Sequence, residues 1–134
     1  MPLIEIRSDD DLARLSNEDI LLLNVCTLLE YFKKTRSRKA IGVLLVRYAY
    51  EARQGKRLHL SRIVEELGPP DCYMANGSVM DIYYSMGSGM MGTVRFENEI
   101  LKWFGSSPKQ QFEKCEKPHA RAWTDLPGTC DVHP

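Results

Sequence analysis

The sequence predicts a mainly α fold with a minor β component: a helical body over residues 1–105 and a short C-terminal extension over 106–134. Three observations carry this expectation. Apolar residues recur at helical spacing in two consecutive stretches, Leu21 to Phe32 and Ile41 to Ala52. Helix start and stop signals bracket them, with Ser16 and Asp19 ahead of the first and Gly55 behind the second. Hydrophobic residues make up 43% and charged residues 27% of the 134 positions, a composition that fits one globular domain and excludes a disordered or fibrous chain.

From the N-terminus, Leu3-Ile4-Glu5-Ile6-Arg7 alternates and fits a short edge strand. Ser8 with Asp11 marks one helix start. Ser16 with Asp19 marks a second, opening a helix that runs to about Lys34 with Leu21, Val25, Leu28, Leu29 and Phe32 on one stripe. Lys33 and Lys34 fall in its last turn, where cations suit the helix dipole. Thr35 to Arg38 is polar and reads as a turn. The next helix spans about Arg38 to Gln54, with Ile41, Leu44, Leu45, Tyr48, Ala49 and Ala52 facing inward. Two long amphipathic helices joined by a short turn imply an antiparallel pair. Cys26, inside the first apolar stripe, is expected in the core.

Ser61 to Leu67 reads as a third helix, stopped by Gly68-Pro69-Pro70. Residues 71–77 look irregular, with Asn76-Gly77 a turn. Ser78 to Met86 is expected as a fourth helix, with Val79, Ile82, Tyr83 and Met86 on one side. A strand is the alternative, because Val79 to Tyr84 is rich in β-forming residues. Met90 to Phe96 suggests a strand or hairpin, and Glu97 to Phe104 a short closing element before Gly105. Trp103 is expected to pack, and Ser106 to Gln111 is linker-like.

Net charge is zero, but the charge is segregated. Between Lys33 and Arg62 lie ten basic residues and one acid, Glu51, for a local +9; residues 1–32 carry −5 and residues 63–134 carry −4. A stretch this positive attracts polyanions, since each neutralised phosphate releases counterions. The competing reading is a solvated helix face balanced by the acidic N-terminal segment.

The segment Arg57-Leu58-His59-Leu60-Ser61-Arg62-Ile63-Val64-Glu65-Glu66-Leu67-Gly68 resembles the opening of winged helix-turn-helix regulators. That resemblance implies a recognition helix at Ser78 to Met86 and a wing at Met90 to Phe96. It also implies nucleic-acid contacts from Arg36, Arg38, Lys39, Arg47, Lys56, Arg57, Arg62, Asn76, Ser78, Tyr84 and Arg95. Two features depart from the family pattern: the long connection from Gly68 to Gly77, and the lack of Arg or Lys in the expected recognition helix.

In the extension, Cys115, His119, Cys130 and His133 read C-x3-H and then C-x2-H. Two thiolates and two imidazoles complete a closed tetrahedral shell, so a structural zinc ion is the implied cofactor; a surface-packed tail with incidental Cys and His is the alternative.

These readings converge on a small regulator that binds duplex DNA and dimerises through its long helices. The alternative is an inhibitor or adaptor that docks on a larger nucleic-acid-handling machine. An enzyme is not expected, because no carboxylate pair, base-activated nucleophile or cofactor fingerprint stands out. The longest nearly apolar stretch, Ile20 to Leu29, is interrupted by Asn24 and too short for a membrane span, and the N-terminus lacks a secretory pattern. A cytoplasmic protein with reduced thiols is therefore expected, in which a Cys115–Cys130 disulfide is disfavoured.

Overall fold

The structure, a computed structural model, describes residues 6–108. Five helices come first: α1 Asp9–Ala13, α2 Asn17–Leu22, α3 Val25–Thr35, α4 Arg38–Arg53 and α5 Leu60–Leu67. Four strands follow: β1 Cys72–Asn76, β2 Val79–Ser85, β3 Met90–Glu97 and β4 Ile100–Pro108. Helices hold 45% and strands 29% of these residues, so the fold is α+β and the mainly α expectation is corrected. The alternating stretch 3–7 falls largely outside the described residues, and Ile6 and Arg7 belong to no element.

The helix starts follow from short polar side chains. The Asp11 carboxylate accepts from the backbone N–H of Ser8 (3.3 Å) and Arg7 (2.9 Å) at the head of α1. At α2, Asp19 N–H donates to Ser16 Oγ (3.1 Å) and Ser16 N–H to the Asp19 carboxylate (3.0 Å), a reciprocal capping box. The single helix expected from Ser16 to Lys34 is two. Leu23 is extended, and Asn24 restarts the chain by accepting from Cys26 N–H at 2.8 Å. Arg36 ends α3 in the left-handed region (φ 56°), and Ser37 at once caps α4 through Ala40 N–H (3.2 Å).

The four strands pair in sequence order, all antiparallel. The expected recognition helix, residues 78–86, is strand β2, one of the two central strands. Met80, Ile82 and Tyr84 face the helices, while Asp81 and Tyr83 face away. The two periodicities coincide here because the outer face is partly apolar too: Tyr83, Met91 and Cys72 are buried there as a separate cluster. Residues 71–77, expected to be irregular, supply β1, and β4 continues past Gly105 into the stretch that reads as linker. With β2 a strand, no helix follows α5 among the described residues.

The core lies between α3–α5 and one face of the sheet, with Leu28, Leu44, Tyr48, Ile63, Ile82, Val94 and Phe96 almost fully buried. Gly92 sets how closely α4 approaches. A Cβ there would meet Leu45 Cδ1 at 2.7 Å and Met86 Sδ at 2.9 Å.

Two details of β4 matter for the site. The β3–β4 turn is Asn98-Glu99, both at positive φ (52° and 67°), the primed turn that matches strand twist. Beyond it the register shifts: Phe96 pairs with Leu101 but Arg95 pairs with Trp103, leaving Lys102 as a bulge. The extra residue lets Leu101 and Phe104 both pack toward the core while Trp103 turns outward.

Candidate nucleic-acid interface

The middle-third cations do not converge on one surface. Arg47, Arg62 and Arg38 are held in internal or cross-element pairs. Arg62 binds Glu51 (3.4 Å) and Glu66 (3.3 Å), Arg47 lies 3.8 Å from Glu51 and donates to Leu21 O, and Arg38 binds Asp71 (3.0 Å). Glu51 and Glu66 are buried, so this network joins α4 to α5 and caps the end of α2. Lys33, Lys34, Arg36 and Lys39 cluster where α3 meets α4. Arg53, Lys56 and Arg57 lie at the opposite end of α4, about 24 Å away at 1.5 Å per residue.

Other expected contacts are also reassigned. Tyr84 is buried, and its hydroxyl donates to Gly68 O (2.7 Å); burial holds its phenol far above the ordinary range. Arg95 lies on the outer face of β3, paired in a two-pronged contact with Asp81 (2.8 and 2.9 Å). Asn76 and Ser78 are exposed at the β1–β2 turn, which is tied to the next hairpin through Asn98 N–H to Ser78 O (2.9 Å).

One concavity gathers free cations. The chain leaving α4 turns at Gly55 (φ 91°) and runs beside β4, where Leu101 N–H donates to Leu58 O and Leu60 N–H to Glu99 O, both at 2.8 Å. Between this segment, the last turns of α4 and β4 lies a groove of about 640 Å³. Its walls carry Arg53, Lys56, Arg57 and Lys102 against one acid, Glu97, with Ala49, Ala52 and Leu101 at its apolar base and Trp103 at its margin. All four cations are exposed, and among the described residues none has an ion-pair partner. Trp103 is 52% exposed, so the packing role expected for it is corrected. Of these residues the sequence reading singled out Lys56 and Arg57. Lys102 and Trp103 escaped it because β4 lies far from α4 along the chain, and Arg53, in the last turn of α4, was not singled out.

No protein-family model, curated protein or solved structure matches this chain.

His59 Nδ1 lies 2.6 Å from Ser61 Oγ, and His59 Nε2 lies 3.7 Å from Glu99, a Ser–His–Glu series whose ring nitrogens are interchanged relative to a hydrolytic triad. Ser61 is 2% exposed, however, and the same Nδ1 accepts Ser61 N–H (3.2 Å) as the cap of α5, so no substrate carbonyl reaches the hydroxyl. Cys26 and Cys72 are both disulfide-bonded, which corrects the reduced-thiol expectation; Cys26 is exposed on α3 and not in the core. Cys115, His119, Cys130 and His133, the expected zinc ligands, lie outside the described residues. Among the described residues no cluster of His, Cys, Asp and Glu could hold a metal, and no helix is long and apolar enough to cross a membrane.

Proposed function

We propose that the protein is a nucleic-acid-binding module that holds phosphates in the groove between the end of α4 and β4. One observation carries this reading: Arg53, Lys56, Arg57 and Lys102 converge on one concavity and have no carboxylate partner among the described residues. Four unpaired cations near each other repel, and that repulsion is relieved when an anion binds. A linear polyanion relieves it at several points at once and releases counterions as it does so. Contacts of this kind position a backbone without reading its sequence, so the binding is of low sequence specificity.

The test is binding of the full chain to labelled oligonucleotides over a range of salt. Four phosphate contacts predict that log K falls against log salt with a slope of about −3. Affinity that does not change with salt, or no affinity at low salt, overturns the reading.

A further inference from the structure

We propose that the groove selects single-stranded nucleic acid and that Trp103 stacks one of its unpaired bases. The inference rests on the phosphate-binding reading above and names the form of strand it takes.

Among the described residues three large hydrophobic side chains are exposed, and Trp103 is the aromatic one. Its position is built by the backbone. The bulge at Lys102 breaks the alternation of β4, so the indole leaves the core side and stands at the margin of the cationic groove. Two residues on, Gly105 leaves room for it. A Cβ there would collide with indole Cη2 and Cζ2 and lie 3.2 Å from Cζ3, so the benzo ring rests over the glycine backbone. The ring is thereby supported from beneath as a flat platform. On the neighbouring strand the Arg95 guanidinium, paired with the Asp81 carboxylate, lies over the indole 6.0 Å from its centroid and fixes the orientation of the ring.

This combination suits an unpaired base. Every base presents a π-face, and stacking on an indole combines with backbone neutralisation by nearby cations in sequence-tolerant single-strand binding. A base inside a duplex is already stacked on its neighbours and cannot reach the ring. An acidic peptide or inorganic polyphosphate would engage the four cations but gain nothing from Trp103.

The test compares, by fluorescence anisotropy on the full chain, a single strand of about ten nucleotides, an abasic strand of the same length, the duplex and inorganic polyphosphate. The base-bearing strand should bind about 10-fold tighter than the abasic strand. Trp103→Ala should remove that preference while Trp103→Phe keeps most of it. Gly105→Ala, which lifts the ring, should weaken the preference without altering the salt slope. Abasic and base-bearing strands of equal affinity, or a preference that survives Trp103→Ala, overturn the stacking inference alone. Failure of every strand and of polyphosphate to bind overturns the phosphate reading, and the stacking inference with it.

Discussion

The Tyr48 hydroxyl on α4 donates to Glu66 Oε1 on α5 at 2.8 Å, with both residues buried. Arg62 closes the same carboxylate at 3.3 Å and lies 5.7 Å from the Tyr48 ring centroid. A buried carboxylate is tolerated when its oxygens are paired, and losing one donor exposes the desolvation cost. Tyr48→Phe should therefore lower unfolding free energy by about 1–3 kcal/mol, read from the urea midpoint. An unchanged midpoint would show that Glu66 is satisfied without the phenol.

Alkaline pH should destabilise the fold through two buried phenols. Burial is the main force that raises Tyr48 and Tyr84, with the Glu66 charge adding to it at Tyr48 and the Asp71 charge at Tyr84. Below the ordinary value of 10.0 both are protonated, folded or unfolded, and their contribution is complete. As pH rises above it, the unfolded chain releases protons that the folded chain retains, so stability falls by about 1.4 kcal/mol per pH unit for each phenol. Tyrosinate absorbance should show these two groups ionising together with unfolding, and Tyr84→Phe should remove part of that coupled signal. Free titration of both phenols in the folded protein would contradict their burial.

The helical half was legible because its signals are local. Ser16 with Asp19 and Gly68 after Leu67 act within four residues and fall where the sequence places them, while Ser37, inside the stretch that reads as a turn, caps α4. The break at Asn24 was missed because an asparagine inside an apolar stripe scores as a tolerated polar residue, although its side chain caps a new helix. The sheet was misread where both of its faces carry apolar residues, so that Val79, Ile82, Tyr83 and Met86 satisfied a helical period. The groove depends on bringing Lys102 to Arg57 across the chain, which no spacing encodes. The cations between Lys33 and Arg62 do not share one surface for a related reason: Glu51 and Glu66 hold Arg47 and Arg62 in partly buried pairs, and Asp71, distant in sequence, takes the exposed Arg38.

Cys26 offers a direct check on its covalent state. It lies exposed at the start of α3, where a free thiol would alkylate readily, yet it is disulfide-bonded. Peptide mapping after iodoacetamide should show no adduct on Cys26 or Cys72 in the native chain and full modification of both after reduction and unfolding. Labelling of Cys26 without reductant would show that the bond is absent.

Gly92 tests the distance between helix and sheet. Any side chain there points at Leu45 Cδ1 and Met86 Sδ, and at Phe104 Cε1, 3.2 Å from the Cβ position. Gly92→Ala should cost about 1–3 kcal/mol as those side chains give way, and Gly92→Val should cost more. Gly77, where nothing lies within 4 Å but φ is 64°, is the contrasting case. Alanine there is strained by the backbone alone and should cost less than Gly92→Val in parallel urea titrations.

The two cationic ends of α4 make opposite predictions for binding. Arg57→Glu with Lys102→Glu reverses two charges inside the groove, whereas Lys33→Glu with Lys34→Glu reverses two on the far side of the α3–α4 turn. Both pairs change net charge by the same amount, so a long-range field would be altered comparably and would weaken polyanion binding comparably. Direct contact does not behave this way. The groove pair should remove two phosphate contacts and reduce the steepness of the salt dependence by about 1.4 to 1.8, while the distal pair should leave the slope near that of the native chain. All four positions are exposed, so the folded core is expected to survive either pair, checked by circular dichroism. Equal loss of slope in the two pairs would mean that the anion spans the length of α4 instead of lying in the groove.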